Sequence, residues 1–392
     1  MKKALVIIIL LFIFTGCDKF TNDVPVVKET FILETNQNVQ FEYASDAYLF
    51  DLINSTDEVE IENIKLDTMS LGEHIIKFNF SNRGNKYEQE IKYIVVDTTK
   101  PLLLMSSSYS VEKGKEVNLV NKAICADNHD KRPNCYIEGT YDFNKVGTYN
   151  LKYHAVDASG NSTSKEFKLK VIKPAKKKET QSKPKYKIED LISKHKSDKT
   201  MVGIDVSSWQ GDVDYQKVKE AGVEFVIIRL GFGHNKKGEL VLDSKFTNNI
   251  KKAKEAGLLV GIYFYSYANT IEKVKEQVNY IMDNLNNESL DLPIAFDWED
   301  WGSFNTYNMS LTDIRIIAKT FIDEVEKRGY KGALYSSKYY LEQIWGIDKY
   351  NTWLAHYTNE TSYKGKYFMW QLSNRGKVAG INGDVDFDIL YK

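Results

Sequence analysis

Two carboxylates in the C-terminal half have the spacing of a catalytic acid pair. Asp297 and Glu299 directly follow an apolar run at residues 292–296, so we expect them at the end of a core strand. If the strand continues, both side chains project to one face, about 7 Å apart at the backbone, and Trp298 points the other way. A carboxyl group that is buried beside a second carboxylate has a raised pKa and holds a proton near neutral pH. Cleavage of a glycosidic bond needs such a pair, because one group protonates the bridging oxygen and the other stabilises or captures the oxocarbenium ion.

Two further acids also lie on predicted strands of the same fold. Asp205 ends an apolar run that begins at Val202, and Asp386 lies on the last predicted strand. In parallel β/α barrels the active site lies at the C-terminal ends of the strands. The sequence therefore predicts one pocket that contains all four acids. An Asp-x-Glu string alone also occurs by chance in exposed loops, so the prediction depends on the flanking apolar runs.

The elements that must position these acids form a predicted barrel. Apolar strands alternate with helical stretches from residue 201 onwards. The eight predicted strands are residues 202–206, 225–230, 260–265, 293–297, 333–336, 353–355, 369–372 and 385–389. Gly222, Gly257 and Gly329 are typical helix stop signals, and Ser310 with Asp313 has the spacing of a capping box. The later spans are too short for full helices, so the expected fold is an irregular, TIM-like α/β barrel at residues 200–392.

The N-terminal half has the alternating pattern of β-strands and contains an internal repeat. Residues 71–78 resemble residues 146–153, and a Gly-Asn pair follows each copy. This repeat predicts two tandem immunoglobulin-like β-sandwiches, at residues 26–97 and 98–173. A Lys-rich stretch at residues 174–199 is predicted to be a linker. The whole chain is thus expected to be multidomain, with two all-β modules before the barrel.

The first 17 residues have the pattern of an export signal. Lys2 and Lys3 precede an apolar run that is too short to span a bilayer, and small residues then lead to Cys17. Residues 14–17 resemble the lipobox of bacterial lipoproteins, which implies lipidation of Cys17 and anchoring to the outer face of the bacterial membrane. The alternatives are a plain cleaved signal and a structural thiol.

The remaining cysteines, Cys125 and Cys135, could form a local disulfide in an exported protein or could stay free thiols. Neither has a motif partner that would indicate a thiol nucleophile.

Composition and motifs exclude several other functions. The chain has 53 basic and 54 acidic residues, so no overall charge favours binding to nucleic acid. The sequence contains no P-loop, Rossmann fingerprint or Gly-x-Ser-x-Gly elbow. His234 and His356 are the only histidines after residue 200, and Asp384, Asp386 and Asp388 lack the Gly and Glu of an EF-hand loop. We therefore expect no cofactor and no metal. We also expect the protein to be a monomer.

Several ordered motifs of the C-terminal half resemble glycoside hydrolase family 25, the lysozymes of the Chalaropsis type. These motifs are residues 203–211, 225–229, 261–268, 293–299, 353–357, 370–371 and 385–386. The resemblance covers about residues 200–392, which is one family domain. It implies that Glu299 is the general acid, that Asp297 is its partner carboxylate, and that Asp205 and Asp386 line the pocket. It also implies hydrolysis of the β-1,4 bond from N-acetylmuramic acid to N-acetylglucosamine in peptidoglycan, with Asp297 acting either as a nucleophile or on the substrate's acetamido group.

Other residues near the predicted strand ends are candidates for substrate binding. Aromatic rings stack on sugars, and polar groups bind their hydroxyls. The candidates are Tyr263, Tyr265, Tyr335, Trp353, Tyr357, Trp370, Gln210, Gln371 and Arg229. For each ring, packing in the core is the competing interpretation, and for Arg229 it is a buried ion pair with one of the acids.

Two other functions fit the same sequence. The barrel could bind the cell wall without cutting it, or the β-modules could act as an adhesin while the barrel clears a path. The presence of all four acids favours the enzyme. Wall binding without bond cleavage would favour the first alternative, and retention of a partner by the β-modules alone would favour the second.

Overall fold

The computed structural model describes residues 31–174, 186–233 and 237–392. These residues form two compact units. One unit comprises the residues up to Lys100 together with Ser159–Asn161, and the other comprises Pro101–Ala158 and Ser162–Lys392. Within the described residues, no helix combines the length and the apolar character that are needed to cross a membrane. The predicted signal and Cys17 lie outside the described residues.

The first unit is built on one four-stranded sheet. Its strands are β1 (Gln40–Glu42), β2 (Val59–Ile61), β3 (Gly72–Asn82) and β4 (Asn85–Val96), in the order β1-β4-β3-β2. The turn between β3 and β4 consists of Arg83 and Gly84, which both have positive φ. Such a turn matches the natural twist of a two-residue hairpin. Alternate residues of the hairpin, among them Phe78 and Tyr93, form the core with residues from the loops.

The second β-module comprises six strands of the second unit. They are β5 (Leu102–Leu104), β6 (Ser108–Glu112), β7 (Ile124–Ala126), β8 (Asn134–Glu138), β9 (Gly147–Val156) and β10 (Ser162–Ile172). Four of them form a sheet in the order β6-β10-β9-β8, and β5 pairs with β7. A disulfide joins Cys125 on β7 to Cys135 on β8. The β-rich character of both N-terminal regions is as expected, whereas their immunoglobulin-like class stays a prediction.

The rest of the second unit begins with β11 (Tyr186–Lys187) and then forms a closed barrel of eight strands. The barrel strands are β12 (Thr200–Val206), β13 (Phe225–Gly233), β15 (Leu259–Ser266), β16 (Ile294–Asp297), β17 (Gly332–Ser337), β18 (Thr352–Ala355), β19 (Met369–Lys377) and β20 (Val385–Tyr391). All eight coincide with predicted strands. Seven are parallel, but β20 runs antiparallel to both of its neighbours, β12 and β19. The barrel is therefore not a regular TIM barrel. Outside it, β14 (Leu240–Leu242) pairs with β13, and β11 pairs with β19.

Helices cover the first part of the barrel, and shorter elements cover the rest. The helices are α1 (Ile188–His195), α2 (Tyr215–Glu220), α3 (Phe246–Glu255), α4 (Ile271–Leu285), α5 (Leu311–Glu326) and the single turn α6 (Lys338–Tyr340). The predicted capping box opens α5: the Asp313 amide donates to Ser310 Oγ at 3.0 Å, and the Ser310 amide donates to Asp313 Oδ2 at 2.9 Å. No full helix separates β18 from β19. The irregular second half follows from these short connections.

Alternation along each strand separates an inner from an outer set of side chains. Phe225, Ala295 and Met369 belong to the apolar layer inside the barrel. Two residues further along the same strands, Asp297 and Gln371 point to the same interior. Because side chains of period two share one face, apolar residues fill the lower barrel and polar residues line its upper end. This layering opens the site at the C-terminal ends of the strands.

Candidate active site

A cavity of about 370 Å³ opens at the C-terminal ends of the barrel strands. The structure brings all four predicted acids to its wall. It also brings there eight of the nine candidate binding residues: Tyr263, Tyr265, Tyr335, Trp353, Tyr357, Gln210, Gln371 and Arg229. The strand ends supply these groups because the barrel interior below is already filled by apolar side chains.

Asp297 and Glu299 lie at different depths in the cavity. The last residue of β16 is Asp297, which is buried, and Glu299 follows on the loop, with its side chain exposed at the mouth. Both line the same cavity although the strand stops between them. Trp298 points away from it and is fully buried, and its ring N–H donates to the Ala268 carbonyl at 3.2 Å.

The electrostatics of this pair favour retention of a proton. Burial, and then the charges of Glu299 and Asp205, raise the pKa of Asp297 well above its usual range, while Arg229 opposes the shift. The surrounding protein removes enough water from Glu299 to raise the pKa of that carboxyl as well, despite its exposed position. Two carboxylates that repel one another in a partly dry site do not both ionise easily. The pair is therefore suited to holding one proton near neutral pH.

A second cluster of acids joins the first barrel strand to the last. Asp205 on β12 lies directly opposite Asp386 on β20, and their carboxyl groups are in hydrogen-bond contact. Burial raises the pKa of Asp386 to about 9, with a further contribution from the charge of Asp205. Burial, and then the charge of Asp388, raise the pKa of Asp205 well above its usual range. Near neutral pH Asp386 therefore keeps its proton and can donate it in the hydrogen bond to Asp205.

Gln371 connects this cluster to the aromatic wall. Its amide nitrogen donates to Asp205 Oδ2 at 2.8 Å, and its amide oxygen accepts from the hydroxyls of Tyr335 at 2.8 Å and Tyr357 at 3.0 Å. Because all these groups are engaged, the amide orientation is fixed by its partners. The ring N–H of Trp353 donates to Oδ1 of Asp388, the other acid beside Asp205, at 2.8 Å. The network fixes the position of one carboxylate of the cavity floor.

Arg229 forms a buried ion pair, but with an acid outside the four predicted ones. Its Nε donates to Asp243 Oδ2 at 2.8 Å, and its NH2 group donates to Ser208 Oγ at 3.0 Å. Gln210 accepts from the Ser207 amide at 2.9 Å and donates to the Asp384 carbonyl at 3.4 Å. These side chains line the cavity, and their hydrogen bonds with the backbone and with Asp243 position the Ser207–Gln210 turn.

Trp370, a predicted substrate contact, does not line the cavity. Its side chain is 3% exposed and packs in the outer core, against His195. Its ring N–H donates to the His356 carbonyl at 2.9 Å. Strand alternation is the reason, because Met369 and Gln371 point into the barrel and the residue between them must point outwards.

Three residues that the sequence analysis did not propose as site residues stand out, in addition to Ser207, Asn374 and Asp384, which also line the cavity. Trp209, 84% exposed, stands at the rim of the cavity, and Asp388 is completely buried beside Asp205. The third is Asp243, the partner of Arg229. Trp209 lies only four residues after Asp205, so its position in the same motif was a usable signal. Asp243 gave no local signal, because its role depends on the fold.

Comparisons with known proteins identify the family of the barrel. The model of "Glycosyl hydrolases family 25" matches residues 204–381. The chain is 31% identical over 196 residues to the Escherichia coli protein YegX, a match that spans 49% of this chain and 70% of that relative. The chain belongs to glycosyl hydrolase family 25. The match includes Asp205, Asp297 and Glu299, and Asp386 lies just beyond it.

Two relatives whose names include the word lysozyme each match about half of the chain. The autolytic lysozyme of Clostridium acetobutylicum is 30% identical over 191 residues, covering 48% of this chain and 55% of that protein. Lysozyme M1 of Streptomyces globisporus is 30% identical over 198 residues, covering 47% and 65%. A family 25 glycosyl hydrolase structure from Bacillus anthracis is 22% identical, with a TM-score of 0.45, and the match covers 54% of this chain and 95% of that one. Membership of glycosyl hydrolase family 25 makes the protein a glycoside hydrolase.

Proposed function

We propose that this protein is an N-acetylmuramidase that cleaves the β-1,4 bond between N-acetylmuramic acid and N-acetylglucosamine in peptidoglycan. The observation that carries the proposal is that the carboxyl groups of Asp297 and Glu299 line one cavity at the open end of a family 25 barrel. Two relatives of this chain bear the name lysozyme, which supports the choice of substrate.

Glu299 is the proton donor in this proposal. It stands at the mouth of the cavity, where a glycan strand can reach it, and its raised pKa keeps a proton available. The proton moves from Glu299 to the bridging oxygen while the bond from that oxygen to the anomeric carbon of the muramic residue breaks. The alcohol that leaves is the N-acetylglucosamine side of the strand, and Glu299 is left as a carboxylate that can then accept a proton from water.

Asp297 supports the positive charge that develops at the anomeric carbon. Its buried carboxylate either attacks that carbon directly or orients the substrate's acetamido group, which then attacks in its place. Among the described residues, no group donates a hydrogen bond to Asp297 Oδ1, which is itself buried. Both routes end with water at the anomeric carbon and a new reducing end at N-acetylmuramic acid.

The test replaces Glu299 by glutamine in the whole chain. Glu299→Gln keeps the shape of the side chain but removes the proton donor, so we expect release of reducing ends from peptidoglycan to fall by at least about 100-fold. The matched control is Glu326→Gln, the same change at an exposed position of α5. A folded Glu299→Gln protein with the activity of the control would overturn the assignment.

The products distinguish the bond that is cut. Digested peptidoglycan is reduced with borohydride and analysed by mass spectrometry. A muramidase leaves reduced N-acetylmuramic acid at the new chain ends. Reduced N-acetylglucosamine at those ends would instead identify a glucosaminidase and contradict the proposal.

The cellular position is a separate part of the proposal. A lipid on Cys17 would hold the barrel at the outer face of the cell membrane, with the β-modules and the Lys-rich stretch between them. The enzyme would then act on the cell's own wall, in remodelling or lysis. The support is the lipobox-like sequence before Cys17. We expect Cys17→Ser to abolish partitioning into the detergent phase, and unchanged partitioning would refute the anchor.

A further inference from the structure

The loop that carries Glu299 is held by the second β-module. After Glu299 the chain forms a 3-10 turn, Trp301–Thr306, which ends close to the start of α5. Asn305 in this turn binds two backbone groups of the second β-module. Its Oδ1 accepts from the Cys125 amide at 3.1 Å, and its Nδ2 donates to the Ala123 carbonyl at 3.0 Å. One side chain thus pairs with a donor on β7, 180 residues away, and with an acceptor on the residue that precedes β7.

Further contacts continue this interface along the start of α5. The Leu311 amide, one of the free N–H groups of the first helical turn, donates to the Asp127 carbonyl at 2.7 Å. Lys131 forms an ion pair with Asp313 at 3.2 Å. Together with Asn305, these bonds attach both ends of the segment between the turn and α5 to the module.

The interface is apolar as well as hydrogen-bonded. Leu104, Ile124 and Ala126 of the module are buried in the same core as Trp301 and Phe304 of the turn. Because these side chains shield one another from water, the module and the turn pack as parts of a single apolar core. The module and the barrel belong to one compact unit.

The turn is coupled directly to the catalytic loop. The Trp301 amide donates to the Glu299 carbonyl at 2.7 Å, and the rings of Trp298 and Trp301 lie 4.6 Å apart in an edge-to-face contact. Trp301 also stacks on Tyr340 at 4.4 Å. Among the described residues, no side chain forms a hydrogen bond with the Glu299 carboxyl. The position of that carboxyl therefore depends on its backbone, and the backbone depends on the turn.

We infer that the second β-module supports the loop that carries Glu299, and that Asn305 is a positioning residue which fixes this loop against the Cys125 and Ala123 backbone of that module. The inference rests on the proposed function. A module that only spaced the barrel from the membrane would need no contact with the loop behind the acid. Here the contact is made by paired hydrogen bonds, and small displacements of a catalytic group cost large factors in rate.

The test compares three variants of the whole chain on soluble glycan strands. Asn305→Ala removes both bonds to the module, and we expect kcat to fall about 10-fold with KM changed less than twofold. Asn305→Asp keeps the acceptor for the Cys125 amide but places a carboxylate oxygen against the Ala123 carbonyl, so it should not restore the wild-type kcat. Asn144→Ala, at an exposed position of the same module, is the matched control and should behave as the wild type.

The pH profile separates positioning from simple destabilisation. Loosening of the loop admits water to Glu299, which lowers its raised pKa, so the alkaline limb of kcat in Asn305→Ala should move to lower pH. An activity loss that matches the unfolded fraction, with an unchanged pH profile, would overturn the inference, as would wild-type kcat in Asn305→Ala.

Hydrogen exchange of residues 298–306 gives a readout that does not depend on activity. We expect faster exchange there in Asn305→Ala than in Asn144→Ala, and equal exchange would contradict the contact. If the wild type releases no reducing ends, the proposed function fails and the catalytic role of the contact fails with it. The exchange result would still decide whether the module holds the loop.

Discussion

Replacing Asp386 by asparagine tests the electrostatic description of the cavity. Asp386 has a pKa of about 9 in the folded protein, against 3.8 for the free side chain. Between these values the native state holds a proton that the unfolded state has lost. The stabilising effect of this raised pKa is therefore complete below about pH 4 and is lost as the pH rises towards 9, so the wild-type barrel should become less stable across this window.

The size of the effect follows from the pKa shift. Where the native state holds one proton that the unfolded state has lost, each unit of increase in pH lowers the unfolding free energy by about 1.4 kcal/mol. Between pH 5 and 8 the loss in unfolding free energy reaches at most about 4 kcal/mol. This figure is an upper limit because solvent at the cavity mouth screens part of the electrostatic effect. Asparagine cannot titrate but keeps a donor for Asp205. Relative to the wild type, Asp386→Asn should therefore gain up to about 4 kcal/mol of stability from pH 5 to pH 8.

The assay is denaturant unfolding of the whole chain at pH 5, 6, 7 and 8, followed by tryptophan fluorescence. All 6 tryptophans lie in the barrel, so the signal reports on that part of the protein. Asp283→Asn, at an exposed position of α4, is the control for a lost carboxylate and should run parallel to the wild type. Parallel curves for Asp386→Asn and the wild type, or a difference of opposite sign, would refute the reasoning.

Three further variants test the roles of individual side chains. Arg229→Met leaves Asp243 buried without its cation, so we expect a loss of about 3–5 kcal/mol in the unfolding free energy, and a loss below about 1 kcal/mol would contradict the buried pair. Trp209→Ala removes an exposed ring at the rim, which should raise KM about 5-fold at unchanged Tm; an unchanged KM would exclude a sugar contact. Trp370→Ala removes a buried ring, so it should lower the unfolding free energy by about 3–5 kcal/mol and leave the KM of the folded enzyme unchanged. A raised KM would show that Trp370 contacts the substrate after all.

Local patterns in the sequence were sufficient for the strands and for most of the site. The apolar run before Asp297 predicted both the strand and the acids at its end, and Ser310 with Asp313 predicted the start of α5. These predictions succeed because strand alternation and helix capping are decided by residues that are close in sequence. The strand order then brings the C-terminal ends together, which places the predicted acids in one cavity.

The interaction partners of several site residues were decided by the tertiary structure alone. The ion pair of Arg229 with Asp243, the position of Asp386 opposite Asp205, and the attachment of Asn305 to the second β-module all join parts of the chain whose proximity no local pattern encodes. Trp370 shows the same limit at a single position, since only the closed barrel determines which face of β19 is the interior. Sequence spacing fixes the type of element and its periodicity, whereas register and packing fix the neighbours. For this protein the sequence therefore indicated which acids lie at one end of the barrel, and the fold determined what holds them in place.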